Sequence, residues 1–297
     1  MAEYSIKDLE RLTGIKAHTI RIWEKRYSII DPKRTSTNIR FYSDSELKKI
    51  LNVSILNSNG MKISAIANMN SEQLHERVMA LNQVSDDSAS FIDQLTIAMI
   101  ELDEASFERI LSLVTLKIGF EDTVTSVLYP FLDKIGILWQ TGKINPAQEH
   151  FISNLIRQKL IVAIDSIPNH TNPKLPVVLL YLPENELHEI GLLFYSYLVK
   201  KIGYNVVYLG QSVPVNDLES VVEIRDPKIL VTSLSSPIPQ SNLHSYLENM
   251  SNEFSTKDIY ISGFQISESL LENWDNIHYI NNALSLKEIL VKQSENY

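Results

Sequence analysis

Apolar and polar positions alternate in three different ways along the chain. Over residues 1–75, apolar residues recur in short bursts at spacings of three and four: Ile6, Leu9 and Leu12, then Ile20, Trp23 and Tyr27. That spacing predicts short amphipathic helices, the first capped by Ser5 and turned into the second at Thr13–Gly14. A polar, turn-rich gap, DPKRTSTN, follows. From about 76 to 170 the helical period runs long, as in FIDQLTIAMIELDEASFERILSLV and EDTVTSVLYPFLDKIGILW. This predicts a helical bundle, with Pro130 kinking a helix or opening its first turn. After a linker, IPNHTNPKLP, the short β-rich runs VVLLYLP, NVVYLG, ILVTSLS, IYISG and IHYIN alternate with helix-length segments over 176–297. Such alternation predicts a parallel sheet with helices on both faces. No internal repeat or low-complexity tract interrupts the order 1–75, 76–170, 176–297.

Composition narrows the chemistry. A chain of 297 residues has room for two or three cores, and 44% apolar residues is ordinary for globular protein. With no cysteine, disulfides, thiolate zinc sites and cysteine nucleophiles are excluded. The stretch MAEYSIKDLERL is charged from its third residue and does not read as a signal peptide. No apolar run reaches the roughly 18–20 residues of a membrane span, so a cytoplasmic protein without a membrane partner is expected. Charge is divided unevenly. Residues 1–75 hold 12 Lys and Arg against 8 Asp and Glu, the remainder 15 against 28. Within an acidic chain, a basic N-terminal module points to a polyanion as that module's partner.

In the second predicted helix the face opposite Ile20, Trp23 and Tyr27 presents His18, Arg21, Ile22 and Lys25, and Thr19 is a further candidate for DNA contact. On a recognition helix, Arg reads guanine in the major groove while His or Thr reaches phosphates. KRTSTNIRFYS then places Arg34, Asn38, Arg40 and Tyr42 around a two-stranded wing beside the sugar-phosphate backbone. A helical docking module with merely solvated cations is the plainer reading. The segment resembles the MerR-type winged helix-turn-helix, with Arg21, Trp23, Glu24, Arg34, Arg40 and Tyr42 on the family pattern. The resemblance implies dimers on two half-sites of double-stranded operator DNA.

Two further stretches carry candidate chemistry. ILWQTGKINPAQEHFISNLI combines Trp139, a glycine turn and Glu149–His150 at the start of a helix, where a carboxylate is favoured. By themselves a core tryptophan and a surface Glu-His pair explain these residues. A zinc site of Glu149, His150 and His188 matches no metallohydrolase spacing. ELHEIG places His188 on the loop after VVLLYLP, and in an open parallel sheet ligands bind beyond the carboxyl ends of the strands. A solvated loop histidine is the alternative. Glu186, two residues earlier, is placed to hold one ring N–H and leave the other nitrogen for metal, and Gly191 permits close approach. Thr232 and Ser262–Gly263, at two other strand ends, leave room for something long and flat.

These residues resemble the cobalamin-binding domain of methionine synthase type, with its motif D-x-H-x-x-G, then S-x-L, then G-G. The resemblance implies that His188 is the lower cobalt ligand and that the displaced nucleotide tail passes beside the small residues. Glu186 stands for Asp, Thr232-Ser233-Leu234 for S-x-L, and Ser262–Gly263 for G-G, so Ser262 adds a side chain on the tail's path. The whole order is similar to the CarH/LitR photoreceptor repressors: winged helix-turn-helix, four-helix bundle, and a Rossmann-like cobalamin-binding domain. That family shares the Glu form and sets a Trp, nine residues and Glu-His over the upper face of adenosylcobalamin, the spacing of Trp139 and Glu149–His150. Where its members commonly carry a second histidine after the Trp, Gln140 stands here; an amide ligates cobalt poorly, and His150 is the nearby alternative. The resemblance implies a non-enzymatic repressor, a homo-oligomer (dimer or tetramer) controlled by adenosylcobalamin and by light through the photolabile cobalt–carbon bond. The alternative is a cobalamin-independent regulator whose C-terminal domain binds a protein antirepressor. A corrinoid-dependent enzyme is disfavoured by the winged helix and the lack of a substrate domain.

Overall fold

A computed structural model describes residues 3–35, 37–81, 88–140, 142–168 and 172–295. The chain forms two compact units, Met1–Ser153 and Asn154–Tyr297.

In the first unit, α1 (Ile6–Thr13) starts with a reciprocal cap: Ser5 Oγ accepts from the Asp8 N–H at 3.2 Å, and Asp8 accepts from the Ser5 N–H at 2.7 Å. It ends at Gly14, whose φ of 71° turns the chain into α2 (Ala17–Tyr27). Ile20 and Trp23 of α2 are buried. The wing is the antiparallel pair β1 (Lys33–Arg34) and β2 (Arg40–Phe41). Next comes α3 (Asp44–Ser58), which at 15 residues departs from the expected run of short helices. Every residue from Ile50 to Leu56 is buried in it, because α1, α5 and α6 pack around it. A helix buried on several sides loses the amphipathic period that would have announced its length. The short α4 (Ile63–Ile66) and α5 (Ser71–Leu81) follow.

The helical segment continues as α6 (Ser88–Glu101), α7 (Glu104–Ile118) and α8 (Phe120–Thr123), which passes through a π turn at Val124–Leu128 into α9 (Tyr129–Gln140). Pro130 thus stands in the first turn of α9, and the wider π turn before it accommodates the missing N–H. Asn145 and Gln148 cap α10 (Pro146–Asp165) reciprocally, at 2.9 and 3.1 Å. Lys134 on α9 joins the bundle to the winged segment: its Nζ lies 2.6 Å from Asp93 and donates to the Leu12 carbonyl at 2.7 Å.

The second unit contains β3 (Val177–Pro183), α11 (Ile190–Ile202), β4 (Asn205–Val213), α12 (Val215–Arg225), β5 (Ile229–Leu234), α13 (Gln240–Glu253), β6 (Asp258–Gly263), α14 (Glu268–Leu271), β7 (Ile277–Tyr279) and α15 (Ala283–Ser294). The five strands run parallel in the order β4-β3-β5-β6-β7. Strand pleating sends alternate side chains to opposite faces. Leu179, Leu230 and Ile259 pack with Leu218 of α12 and Leu247 of α13. On the other face Tyr260 accepts from Gln293 of α15 at 2.9 Å, and α11 packs on α15. Residues 169–171 of the expected linker lie outside the described residues.

The Lys134 junction gives a stability expectation. Both its side chain and that of Asp93 are largely buried, at 14% and 15% exposure. Asp93→Ala leaves the ammonium with the Leu12 carbonyl and should cost about 1.5–3 kcal/mol, the usual size of a charged hydrogen bond. Urea unfolding measures it; a change below about 0.5 kcal/mol would count as ordinary surface behaviour.

Candidate functional site

The chain leaves β3 toward β4 on one side and returns to β5 on the other, so the carboxyl ends of β3 and β5 flank the crevice where this topology binds ligands. Residues 184–189 form the loop there. Glu186 turns inward, its side chain only 3% exposed. One carboxylate oxygen accepts from the N–H groups of Ser235 and Ser236, at 2.8 and 2.6 Å. The other accepts from the His188 N–H at 3.0 Å and from Ser236 Oγ at 3.2 Å, and lies 2.6 Å from His188 Nδ1. Burial raises the proton affinity of this carboxyl, but the donors from Ser236 and His188 outweigh it and hold its pKa below the ordinary value. An ionised Glu186 requires the proton of a neutral imidazole on Nδ1, which leaves Nε2 with its lone pair. The ring is 66% exposed, and Nε2 makes no hydrogen bond among the described residues. This is the chemistry of a metal-ready imidazole oriented by a carboxylate.

β4 extends past the end of β3 and ties the loop down. Ser212 donates its N–H to the Glu186 carbonyl at 3.2 Å, and Ser212 Oγ accepts from the Asn185 N–H at 3.1 Å. Gln211 donates to the Leu187 carbonyl at 2.6 Å. Glu189 accepts from Tyr208 at 2.8 Å and from Arg157 Nε at 2.6 Å. Burial first, then Glu189, pushes the Tyr208 hydroxyl well above its usual pKa.

The other residues singled out in this unit do not share one surface. Thr232 pairs in register with Ile261 and faces the α13 side, where its buried Oγ1 lies near the Tyr181 and Tyr246 hydroxyls but makes no well-aligned hydrogen bond. Those two hydroxyls are 2.9 Å apart. Burial pushes Tyr246 up to about 12. Ser262 pairs with Ser233 and faces the α11 side, beside Tyr195. Ser262 and Thr232 thus lie on opposite faces of the sheet. Gly263, with φ 148°, has no room for a side chain: a Cβ would lie 2.1 Å from the carbonyl oxygen of buried Leu234. At Gly191 no neighbouring protein atom lies within 4 Å of the Cβ position, so the space beside it is open.

In the first unit Trp139, 47% exposed, is the penultimate residue of α9, and Glu149 and His150 lie near the start of α10, with His150 Nδ1 2.9 Å from Glu149. The side chain of Gln140 lies outside the described residues. The turn between these helices is docked on α1. Lys143 Nζ reaches the Glu3 carbonyl, lies 3.4 Å from Asp8 and 5.8 Å from the centre of the Tyr4 ring. Tyr4 in turn donates toward the Lys143 carbonyl at 3.1 Å and Asp44 at 2.8 Å.

On the winged segment His18, Arg21 and Lys25 are exposed and Thr19 is half-buried. Arg34 donates to Asn38 at 2.8 Å, both exposed on the wing. Arg40 is half-exposed and bound to Glu24 at 3.0 Å. Tyr42, expected at the DNA surface, is instead fully buried: its backbone pairs with Tyr4 and its hydroxyl donates to Glu24 at 3.3 Å. Its ring packs inside the module, so it supports the wing rather than reaching past it. Ser235, Ser236, Arg157, Glu189 and Tyr208 were missed in the sequence. The serines in SLSSP, just past a strand end, were a usable signal; the pairing of Arg157 with Glu189 left none.

Residues 4–73 match the model for the MerR HTH family regulatory protein, and residues 91–163 that for the B12 binding domain. The chain is 28% identical over 247 residues to the HTH-type transcriptional repressor CarH of Myxococcus xanthus, covering 80% of this chain and 81% of that one. It is 28% identical over 269 residues to the HTH-type transcriptional repressor CarA of the same organism, covering 89% and 88%. Among solved structures it shares its fold with the Methanosarcina barkeri monomethylamine corrinoid protein: TM-score 0.58, 15% identity, 69% of this chain and 99% of that one.

Two strand-end residues carry opposite stability expectations. Gly263→Ala should destabilise by about 3 kcal/mol, since both the positive φ and the carbonyl contact oppose a side chain. Thr232→Val removes an unsatisfied buried hydroxyl and should stabilise the ligand-free protein by about 1 kcal/mol. Denaturant melts read both signs. The depressed pKa of Glu186 also means that its ionisation stabilises the fold above the ordinary carboxylate range, a contribution lost as acid titrates the group below it. Glu186→Gln should therefore show a shallower loss of stability on acidification than wild type, in melts taken from neutral pH to pH about 3.

Proposed function

We propose that this homologue of the CarH and CarA repressors is a cytoplasmic, non-enzymatic transcriptional repressor that binds operator DNA as a homo-oligomer and is controlled by adenosylcobalamin. The observation that carries the cofactor half is the exposed His188 ring, with Nδ1 held by buried Glu186 and Nε2 without a partner among the described residues. His188 would ligate cobalt, and Glu186 and Ser236 would fix its tautomer and direction. The unpartnered Thr232 hydroxyl supports a polar contact from the nucleotide tail. The Tyr181 and Tyr246 hydroxyls lie beside it and would line such a contact. When bound, the cofactor supplies a photolabile cobalt–carbon bond. The upper-face roles of Trp139, Glu149 and His150 rest on the sequence resemblance, as does control by light through a change of oligomeric state.

DNA contact is assigned to His18, Thr19, Arg21 and Lys25 on α2 and to Arg34, Asn38 and Arg40 at the wing. The docking of Lys143 on Tyr4 and Asp8 supports communication, since the turn it occupies joins the helix of Trp139 to that of Glu149 and His150. Coupling requires the two states to differ in such contacts. The buried Tyr181–Tyr246 pair favours a second reading, in which the C-terminal unit needs no cofactor and binds a protein antirepressor.

Titration with adenosylcobalamin in darkness separates the readings. Wild type should bind with a spectrum showing the benzimidazole base displaced, and illumination should change that spectrum. His188→Ala should bind at least about 100-fold more weakly, because even partners of metal ligands are worth 10–100-fold. Arg21→Ala should lower operator affinity by about 1–3 kcal/mol and leave cofactor uptake unchanged. Equal affinity and spectra for wild type and His188→Ala would reject ligation and place the antirepressor reading first.

A further inference from the structure

The tethers on the His188 loop come from two directions. Ser212, Gln211, Ser235 and Ser236 hold it from the carboxyl edge of the sheet. Arg157 holds it from the part of α10 that belongs to the same unit. The intermediary is Glu189, next in sequence to His188 and itself 6% exposed. Both of its carboxylate oxygens are engaged: one accepts from Arg157 Nε at 2.6 Å, the other from Tyr208 at 2.8 Å. The backbone of Glu189 also starts α11, its carbonyl accepting from the Leu193 N–H at 2.9 Å. Against the carboxylate lies Gly210, at the irregular register of β4, where φ is 79° and an added Cβ would stand 3.5 Å from the Glu189 oxygen. Glu189 is packed against the strand at this point, and a buried carboxylate stripped of its cation is strongly unfavourable. The guanidinium fixes where this carboxylate sits, and with it the residue that follows His188.

We propose that Arg157 is a positioning residue for His188: through Glu189 it binds the ligand loop to α10, so that the direction of His188 Nε2 follows that helix. The identity of the ligand rests on the cofactor reading above; the tether itself does not. An arginine suits this role because its planar fork restrains direction, whereas a lysine supplies only a point charge.

The test uses the full chain, with and without adenosylcobalamin, in darkness. In the ligand-free protein, deuterium uptake by residues 184–189 should rise about tenfold in Arg157→Ala, the factor that about 1.4 kcal/mol makes, while β5 and β6 keep wild-type protection. Arg157→Lys should restore part of the protection. On titration, Arg157→Ala should retain uptake but show a smaller fraction of the histidine-ligated spectrum, and Arg157→Lys an intermediate one. Unchanged uptake in 184–189, or a rise spread evenly over the strands, overturns the proposal, as do identical spectra in variant and wild type. If Arg157→Ala does not fold, Glu189→Gln and Arg157→Lys carry the same comparison, since each weakens the pair without emptying the site. A wild type that takes up no adenosylcobalamin rejects the cofactor reading, while the exchange result still decides the tether.

Discussion

Removing an ionised carboxylate from water costs several kcal/mol, and the loop after β3 buries two such groups within four residues. Glu186 and Glu189 are tolerated only because donors converge on them from distant parts of the chain. The Ser235–Ser236 backbone must come up to Glu186, β4 must run past the end of β3 to bring Tyr208 and Ser212, and Arg157 must lie across Glu189. The orientation of His188 is a by-product of this requirement. Its N–H and ring nitrogen are part of the shell that satisfies Glu186, so an exposed side chain acquires the fixed direction of a buried one.

The first unit solves a similar problem with lysines. Lys134 brings its ammonium to the Leu12 carbonyl and to Asp93 of α6, and Lys143 its own to the Glu3 carbonyl and Asp8, so that long stems cross between the bundle and the winged segment. Asp8 takes part twice, capping α1 with Ser5 and facing Lys143. Burial raises its proton affinity, and those partners bring the pKa below the ordinary value. The turn beyond Trp139 thereby touches the first helix of the module assigned to DNA. The wing is restrained from within too, since Arg40 and Tyr42 both bind Glu24. On the proposed DNA-binding reading, a phosphate approaching Arg40 would compete with that carboxylate.

Local patterns carried much of this in the sequence. The helical period located α1 and α2, and the Ser5 cap and Gly14 turn involve residues at most a few positions apart, so they are legible in a short window. The β-rich runs placed the five strands, and parallel topology put His188 at a carboxyl edge with Glu186 near enough to hold its ring. Tertiary structure decided the rest, because the partners are remote or because register intervenes. Ser236 meets Glu186 across 50 positions and Arg157 meets Glu189 across 32. Thr232 and Ser262 read alike as small residues at strand ends, yet pairing in register sends them to opposite faces of the sheet. Tyr42 read as a surface aromatic until the backbone bridge to Tyr4 turned its ring inward. Periodicity reports which face of an element is apolar; which two faces meet is settled only when the whole chain packs.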